Sequence, residues 1–295
     1  MQDLGSLGTS SWAASINDSG EVVGYYETTG GTTRAFLWTA TGGMKDLGTL
    51  GGDYAVASGI NSAGEVIGAS STAAGQTHAF LWTPALGMRD LGTLGGISSG
   101  AAAINDEGAV TGSSATATKI VEIAFLWTAR NGMHPLGTLG SDYSYGYALN
   151  SAGTVVGASP TNNSLTPNHG FMKALRGAMV DLGADGQTNS TALGINDSGE
   201  IVGWFGGPPG NAFLWTQANG MQPLPTLGGQ GSTALAINKA GQMVGFAALN
   251  ETGVSHAALW NTPDQIQDLG TLGGTYSVGA SINNSGVVVG YSTLP

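Results

Sequence analysis

The chain has 295 residues, 51 of them Gly and only 9% charged, with 8 Lys plus Arg against 19 Asp plus Glu for a net charge of −11. No basic run is present, so neither a nucleic-acid backbone nor an anionic membrane is an expected partner. Cys is absent, which removes disulfides, thiolate metal sites and Cys nucleophiles, and no apolar stretch approaches the ~18 residues of a membrane span.

In chain order, Gln2 to Leu7 reads as a lone strand carrying the Asp-Leu-Gly (Asp3–Gly5) that recurs downstream. The pattern Asn-x-x-Gly, then an apolar pair and Gly, starts at Asn17, Asn61, Asn105, Asn150, Asn196, Asn238 and Asn283. A second pattern, of the Ala-Phe-Leu-Trp kind, ends at Trp38, Trp82, Trp127, Trp215 and Trp260. A third, Asp-Leu-Gly-Thr-Leu-Gly-Gly, starts at Asp46, Asp90 and Asp268, with weaker forms at Asp3, Pro135, Asp181 and Pro223. Self-similarity at a fixed period of this size defines a repeat architecture.

Each unit reads as four strands, A to D. In the second copy strand A is Ala55 to Ile60, the turn is Asn61–Gly64 and strand B is Glu65 to Ser70. Strand C is His78 to Thr83, strand D is Met88 to Leu91, and Gly92 to Gly96 crosses to the next unit. Four strands in roughly 40–50 residues is the blade of a β-propeller. Parallel β-helices and horseshoe repeats need coil lengths or ladders that the sequence lacks.

The expected fold is therefore all-β: one propeller over 1–295, of about seven four-stranded blades. The repeats run 9–52, 53–96, 97–140, 141–186, 187–229, 230–274 and 275–295 plus 1–8. In the last blade the C-terminal Tyr276 to Ser292 supplies strands A and B and the N-terminal Gln2 to Leu7 supplies strand D, with strand C absent. Six blades with loose ends is the alternative.

The motifs Asp-Leu-Gly-Thr-Leu-Gly-Gly, Gly-Ile-Asn-x-x-Gly-x-Val-x-Gly and His-Ala-Phe-Leu-Trp (His78–Trp82) resemble the HAF-repeat family of bacterial extracellular proteins. The likeness spans nearly the whole chain. It implies secretion and a propeller-like fold, but it implies no particular activity. No signal peptide opens the sequence, so a secreted chain with its leader already removed is the expectation.

Features present in every copy read as structural. Asn capping its own turn, with Gly at positive φ, accounts for the Asn-x-x-Gly motif better than a calcium loop, since most copies lack carboxylates. The recurrent Phe and Trp fit packing between blades. The recurrent Asp of Asp-Leu-Gly fits a hydrogen bond to a nearby turn.

Function is expected where copies depart from the pattern. The D-to-A crossings and B-to-C loops emerge on one face and vary most, which makes that face the expected binding face. Its ligand-binding candidates are Trp12, Asp53, Tyr54, Asp142, Tyr143, Tyr145 and Tyr276, aromatics and acids suited to sugar stacking and hydroxyl hydrogen bonds. Trp204 joins them at the head of a Pro-stiffened segment, 204–209, that resembles a ligand clamp. The fourth copy puts Lys173 where Trp belongs, after His169, between an extended loop (Pro160 to Asn168) and an altered crossing at 183–187.

No catalytic motif is present, no His pair has zinc spacing, and neither a cofactor nor a metal is expected. The leading expectation is an extracellular binding or scaffolding propeller for carbohydrate or a partner protein. The alternatives are a glycoside hydrolase or polysaccharide lyase, with Asp53, Asp142, His169 and Lys173 as its weak catalytic candidates, and a self-assembling structural module.

Overall fold

The computed structural model describes residues 3–117, 121–162, 168–183, 189–249 and 254–295. Each repeat folds as an antiparallel meander. The first sheet is β1 (Ser10–Ile16), β2 (Val22–Glu27), β3 (Thr33–Thr39) and β4 (Gly43–Asp46). The second is β5 (Gly51–Ile60), β6 (Val66–Thr72), β7 (Thr77–Thr83) and β8 (Gly87–Asp90). The third is β9 (Gly95–Ile104), β10 (Val110–Thr116), β11 (Glu122–Thr128) and β12 (Gly132–Pro135). The fourth is β13 (Tyr145–Leu149), β14 (Val155–Pro160), β15 (Asn168–Lys173) and β16 (Val180–Asp181). The fifth is β17 (Ser190–Ile195), β18 (Ile201–Phe205), β19 (Asn211–Thr216) and β20 (Gly220–Pro223). The sixth is β21 (Ser232–Ile237), β22 (Met243–Ala248), β23 (Ser255–Thr262) and β24 (Gln265–Asp268). The last sheet holds only β25 (Ser277–Ile282) and β26 (Val288–Ser292).

The expectation of seven four-stranded blades is thus corrected to six, with a two-stranded sheet in the seventh place. Residues Asp3–Leu7 do not form the expected fourth strand, and Gln2 lies outside the described residues. The reason lies in the pairing order. Every strand D bonds only to its own strand C, as β4 does to β3 and β8 to β7. Among the described residues no strand C lies outside β26, so Asp3–Leu7 have no strand C to pair with.

The ring nevertheless closes. First strands of successive sheets touch all the way round, with β25 against β1, which makes them the innermost strands. Each Asn-x-x-Gly turn supports the next. Asn17 Oδ1 accepts the N–H of Ser19 and Glu21 at 3.1 and 3.0 Å, and Gly20 takes φ 78°. The side-chain amide also donates both ways: Asn17 Nδ2 bonds Glu21 Oε2 in its own turn and the carbonyl of Asn61 in the next, and Asn61 Nδ2 bonds Glu65 Oε2 and the carbonyl of Asn105. The relay continues through Asn150, Asn196, Asn238 and Asn283 back to Asn17.

The core lies between blades. Phe36, Phe80, Phe125, Phe171, Phe213 and Trp260 are fully buried, and Trp82 and Trp127 nearly so. Val23 and Ala35 of the first sheet pack with Ala55, Phe80 and Trp82 of the second, as the inter-blade reading of Ala-Phe-Leu-Trp requires. The recurrent Asp also has a structural task. Asp90 Oδ1 accepts the Gly92 N–H at 2.7 Å, and its Oδ2 meets His78 Nδ1 at 2.8 Å; Asp181 and Asp268 repeat the arrangement with His169 and His256.

Candidate functional site

One register row decides where the variable aromatics stand. In every sheet, strand B contributes a Gly to a pair with strand A, as in Ala13–Gly24 and Ala57–Gly68. The neighbouring pair, farther from the Asn turn, is Trp12–Tyr25, Val56–Ala69, Gly100–Ser113 and Tyr145–Ala158 in the first four sheets. In the last three it is Thr191–Trp204, Thr233–Phe246 and Val278–Tyr291. The row is asymmetric. Small residues fill the second and third blades, and aromatics fill the rest.

The aromatic sector is densest where the last sheet meets the first. Trp12 stacks on Tyr25, centroids 5.0 Å apart and planes 18° from parallel. Tyr276 and Tyr291 sit 6.1 Å apart, and Tyr25 lies close enough to affect the phenols of both Tyr291 and Tyr54. Tyr54 and Tyr276 precede the strand-A members of the row by two residues, so pleat alternation puts them on the same side. Burial raises the Tyr25 phenol, helped by the Glu27 carboxylate, which also accepts from Ser10 Oγ at 3.2 Å. Burial and the Tyr276 hydroxyl push Tyr291 up to about 12. These phenols stay protonated and able to donate at neutral pH.

A second cluster belongs to the fourth blade. Tyr143 meets Tyr145 edge-on at 5.8 Å, and Tyr145 stacks with Tyr147 at 6.3 Å. Burial raises Tyr145 and Tyr147, with Glu122 contributing to both. Serine Oγ of Ser113 donates to that carboxylate at 2.5 Å.

The remaining candidates separate. Asp53 and Asp142 are exposed, on the second and fourth blades. His169, on the third strand of the fourth sheet, is engaged with Asp181 at 2.9 Å. Lys173, at the far end of the same strand, donates to the Gly177 carbonyl. Strand spacing alone puts His169 about 10 Å out from the innermost strand. His169 and Lys173 are therefore removed from the inner end of the blades, where Asp53 and Asp142 lie, and among the described residues no three His, Asp or Glu cluster as metal ligands. Of the expected clamp, Trp204 faces the row, whereas Phe205 is buried edge-on against Phe213 at 6.3 Å. The fourth copy's crossing at 184–187 and most of its loop, 163–167, lie outside the described residues.

Tyr25, Tyr147, Phe246 and Tyr291 escaped sequence reading. A signal existed for three of them: each directly follows the strand-B Gly (Gly24, Gly245, Gly290), as Trp204 follows Gly203. At the opposite end, an opening of about 210 Å³ is lined by the seven Asn turns and the Ile16, Ile60, Ile104, Leu149, Ile195, Ile237 and Ile282 ring. There the Asn and the aliphatic residue recur in every copy, whereas the residue after the Asn varies: Asp18, Ser62, Asp106, Ser151, Asp197, Lys239 and Asn284.

No family model matches the chain, and no curated protein matches it. Solved structures do. The β-propeller domain of the Trilobed protease from Pyrococcus furiosus superposes with a TM-score of 0.61 at 8% identity, over 97% of this chain and 90% of that one. TolB from Acinetobacter baumannii gives 0.53 at 13% identity over 75% of this chain, and Pyrococcus horikoshii acylaminoacyl peptidase gives 0.55 at 10% over 91%. This chain spans 55% of TolB and 47% of the peptidase. The protein is a β-propeller. At such identities the likeness is one of fold, and folds of this kind host many activities.

Proposed function

We propose that this propeller is a non-catalytic extracellular binding or scaffolding protein that recognises carbohydrate, or else a partner protein, through the face carrying its D-to-A crossings and B-to-C loops. The observation that carries the reading is the stacked Trp12–Tyr25 pair with Tyr54, Tyr276 and Tyr291 beside it. Half-exposed rings flanked by carboxylates suit the apolar faces and hydroxyl rims of sugars. Secretion, and membership among HAF-repeat proteins, are parts of the same proposal; they rest on the low charge content and on the repeat motifs.

Titrating a panel of polysaccharides while following Trp fluorescence, with reducing-sugar release measured in parallel, tests it. Binding without release is the expected result. Release would move the chain to the hydrolase or lyase class. Silence on both, for glycans and for extracellular protein arrays, would remove the proposal.

A further inference from the structure

The outer half of the seventh blade holds a groove of about 760 Å³. Its walls are Phe36, Trp38 and Met44 of the first sheet and Leu259, Leu269 and Leu272 toward the sixth, with the open edge of β26 as its floor. In each of the six complete blades a strand C fills this place.

The groove is more than apolar. In five blade junctions the strand-C residue just before the Phe position donates its backbone N–H to a serine of the following blade: Ala79 to Ser99, Ala124 to Ser144, Gly170 to Ser190, Ala212 to Ser232 and Ala257 to Ser277, at 2.8–2.9 Å. The same residue's carbonyl accepts the N–H of the Leu in Leu-Gly, as Ala79 accepts from Leu91 and Ala257 from Leu269. Four of these serines also donate to the carbonyl of the Gly in that dipeptide, Ser99 to Gly92 and Ser277 to Gly270 among them.

At the seventh blade the corresponding serine is Ser11, which donates to Gly5 at 2.8 Å in the same way. Gly5 in turn donates to Asp3 Oδ1 at 2.9 Å, and Leu4 packs beside Phe36 and Val289. Residues 3–5 are thus set as in a complete blade, with Ser11 Oγ and the Leu4 N–H flanking the groove where the two hydrogen bonds of one strand-C residue fall. Gly290 completes the template. Gly24, Gly68, Gly157 and Gly203, its counterparts, each lie against the edge of a strand-C Phe ring.

We infer that this groove binds an extended polypeptide strand with the chemistry of the repeat's own strand C, a His or Arg followed by Ala-Phe-Leu-Trp, added antiparallel to β26. By the register of β6 with β7, the Trp would lie opposite Val288, the Phe opposite Gly290 and the Ala opposite Tyr291. The His or Arg would meet Asp3, as His78 meets Asp90 and Arg34 meets Asp46. Strand addition of this kind draws affinity from main-chain bonds and specificity from alternate side-chain pockets. It uses an edge that would otherwise invite unspecific pairing.

The test is a labelled peptide with the sequence of Thr77–Thr83, titrated into the full chain and followed by anisotropy and by hydrogen exchange of β26. Saturable binding with slowed exchange there is expected, together with loss of at least tenfold in affinity for the peptide carrying Phe80→Asp. Ser11→Ala in the protein should weaken binding about fivefold, the worth of one hydrogen bond. That variant will fold, because Ala55 already holds the same place in the second blade. Equal binding of the Phe80→Asp peptide would overturn the inference. So would the absence of binding, whether the chain is then a monomer or a dimer paired through β26.

Discussion

Asn283 donates its side-chain N–H to the backbone carbonyl of Asn17 at 3.2 Å, joining residues 266 apart in the chain. The same side chain accepts the N–H of Ser285 and Val287 through Oδ1, so one amide both shapes its own turn and ties the last blade to the first. Asn283→Asp keeps the acceptor and removes the donor. We expect it to lower stability by on the order of 1 kcal/mol, read by denaturant unfolding, and to speed hydrogen exchange in β1 and β25 before other strands.

Ligand recognition and scaffold stability should separate between two tryptophans. Trp12→Ala removes the half-exposed partner of Tyr25 and should abolish most glycan binding, at a cost of about 1–2 kcal/mol in stability. Trp127→Ala empties a buried position between blades and should cost about 3–5 kcal/mol while leaving the affinity of the folded fraction unchanged. Parallel denaturation and binding curves check both.

The strand-B glycines answer to space and not to conformation. A Cβ on Gly203 would stand 1.9 Å from the Thr191 carbonyl oxygen and 3.0 Å from the Phe213 ring. Strand A cannot retreat, since it is wedged against its neighbours around the ring. Gly203→Ala is expected to cost more than about 3 kcal/mol or to yield insoluble protein, whereas Gly207→Ala, with open space around it, should be near neutral.

Alkaline pH should loosen the molecule through its tyrosines. Tyr26 and Tyr291 are both raised to about 12, by burial first, and then by the bonds of Tyr26 to Asp46 and of Tyr291 to Tyr276. In the unfolded chain a phenol titrates near 10. The folded state therefore holds these protons more tightly, and the stability they confer, full below about pH 10, is lost as pH rises toward 12. Absorbance at 295 nm combined with unfolding curves at pH 9 and 11.5 would show late ionisation and a lower midpoint. An unchanged midpoint would mean the two phenols do not contribute.

Much of the molecule was legible in its residues. The Asn-x-x-Gly turns, the four strands per unit and the structural status of Phe80, Trp82 and Asp90 all follow from local chemistry repeated seven times, because turn geometry and alternation act over a few residues. The pairing of the last blade was not legible. Gln2 to Leu7 has the pattern of a strand, but a strand D exists only beside a strand C, and pairing is a tertiary fact. The aromatic row was likewise half visible. Trp12, Tyr54 and Tyr276 stand out as departures from the repeat, yet only the cross-strand register brings Tyr25 under Trp12 and Tyr291 beside Tyr276. The Asn relay completes the contrast: the sequence determined each turn through its own Oδ1 contacts, and ring closure alone decided where the remaining N–H would go.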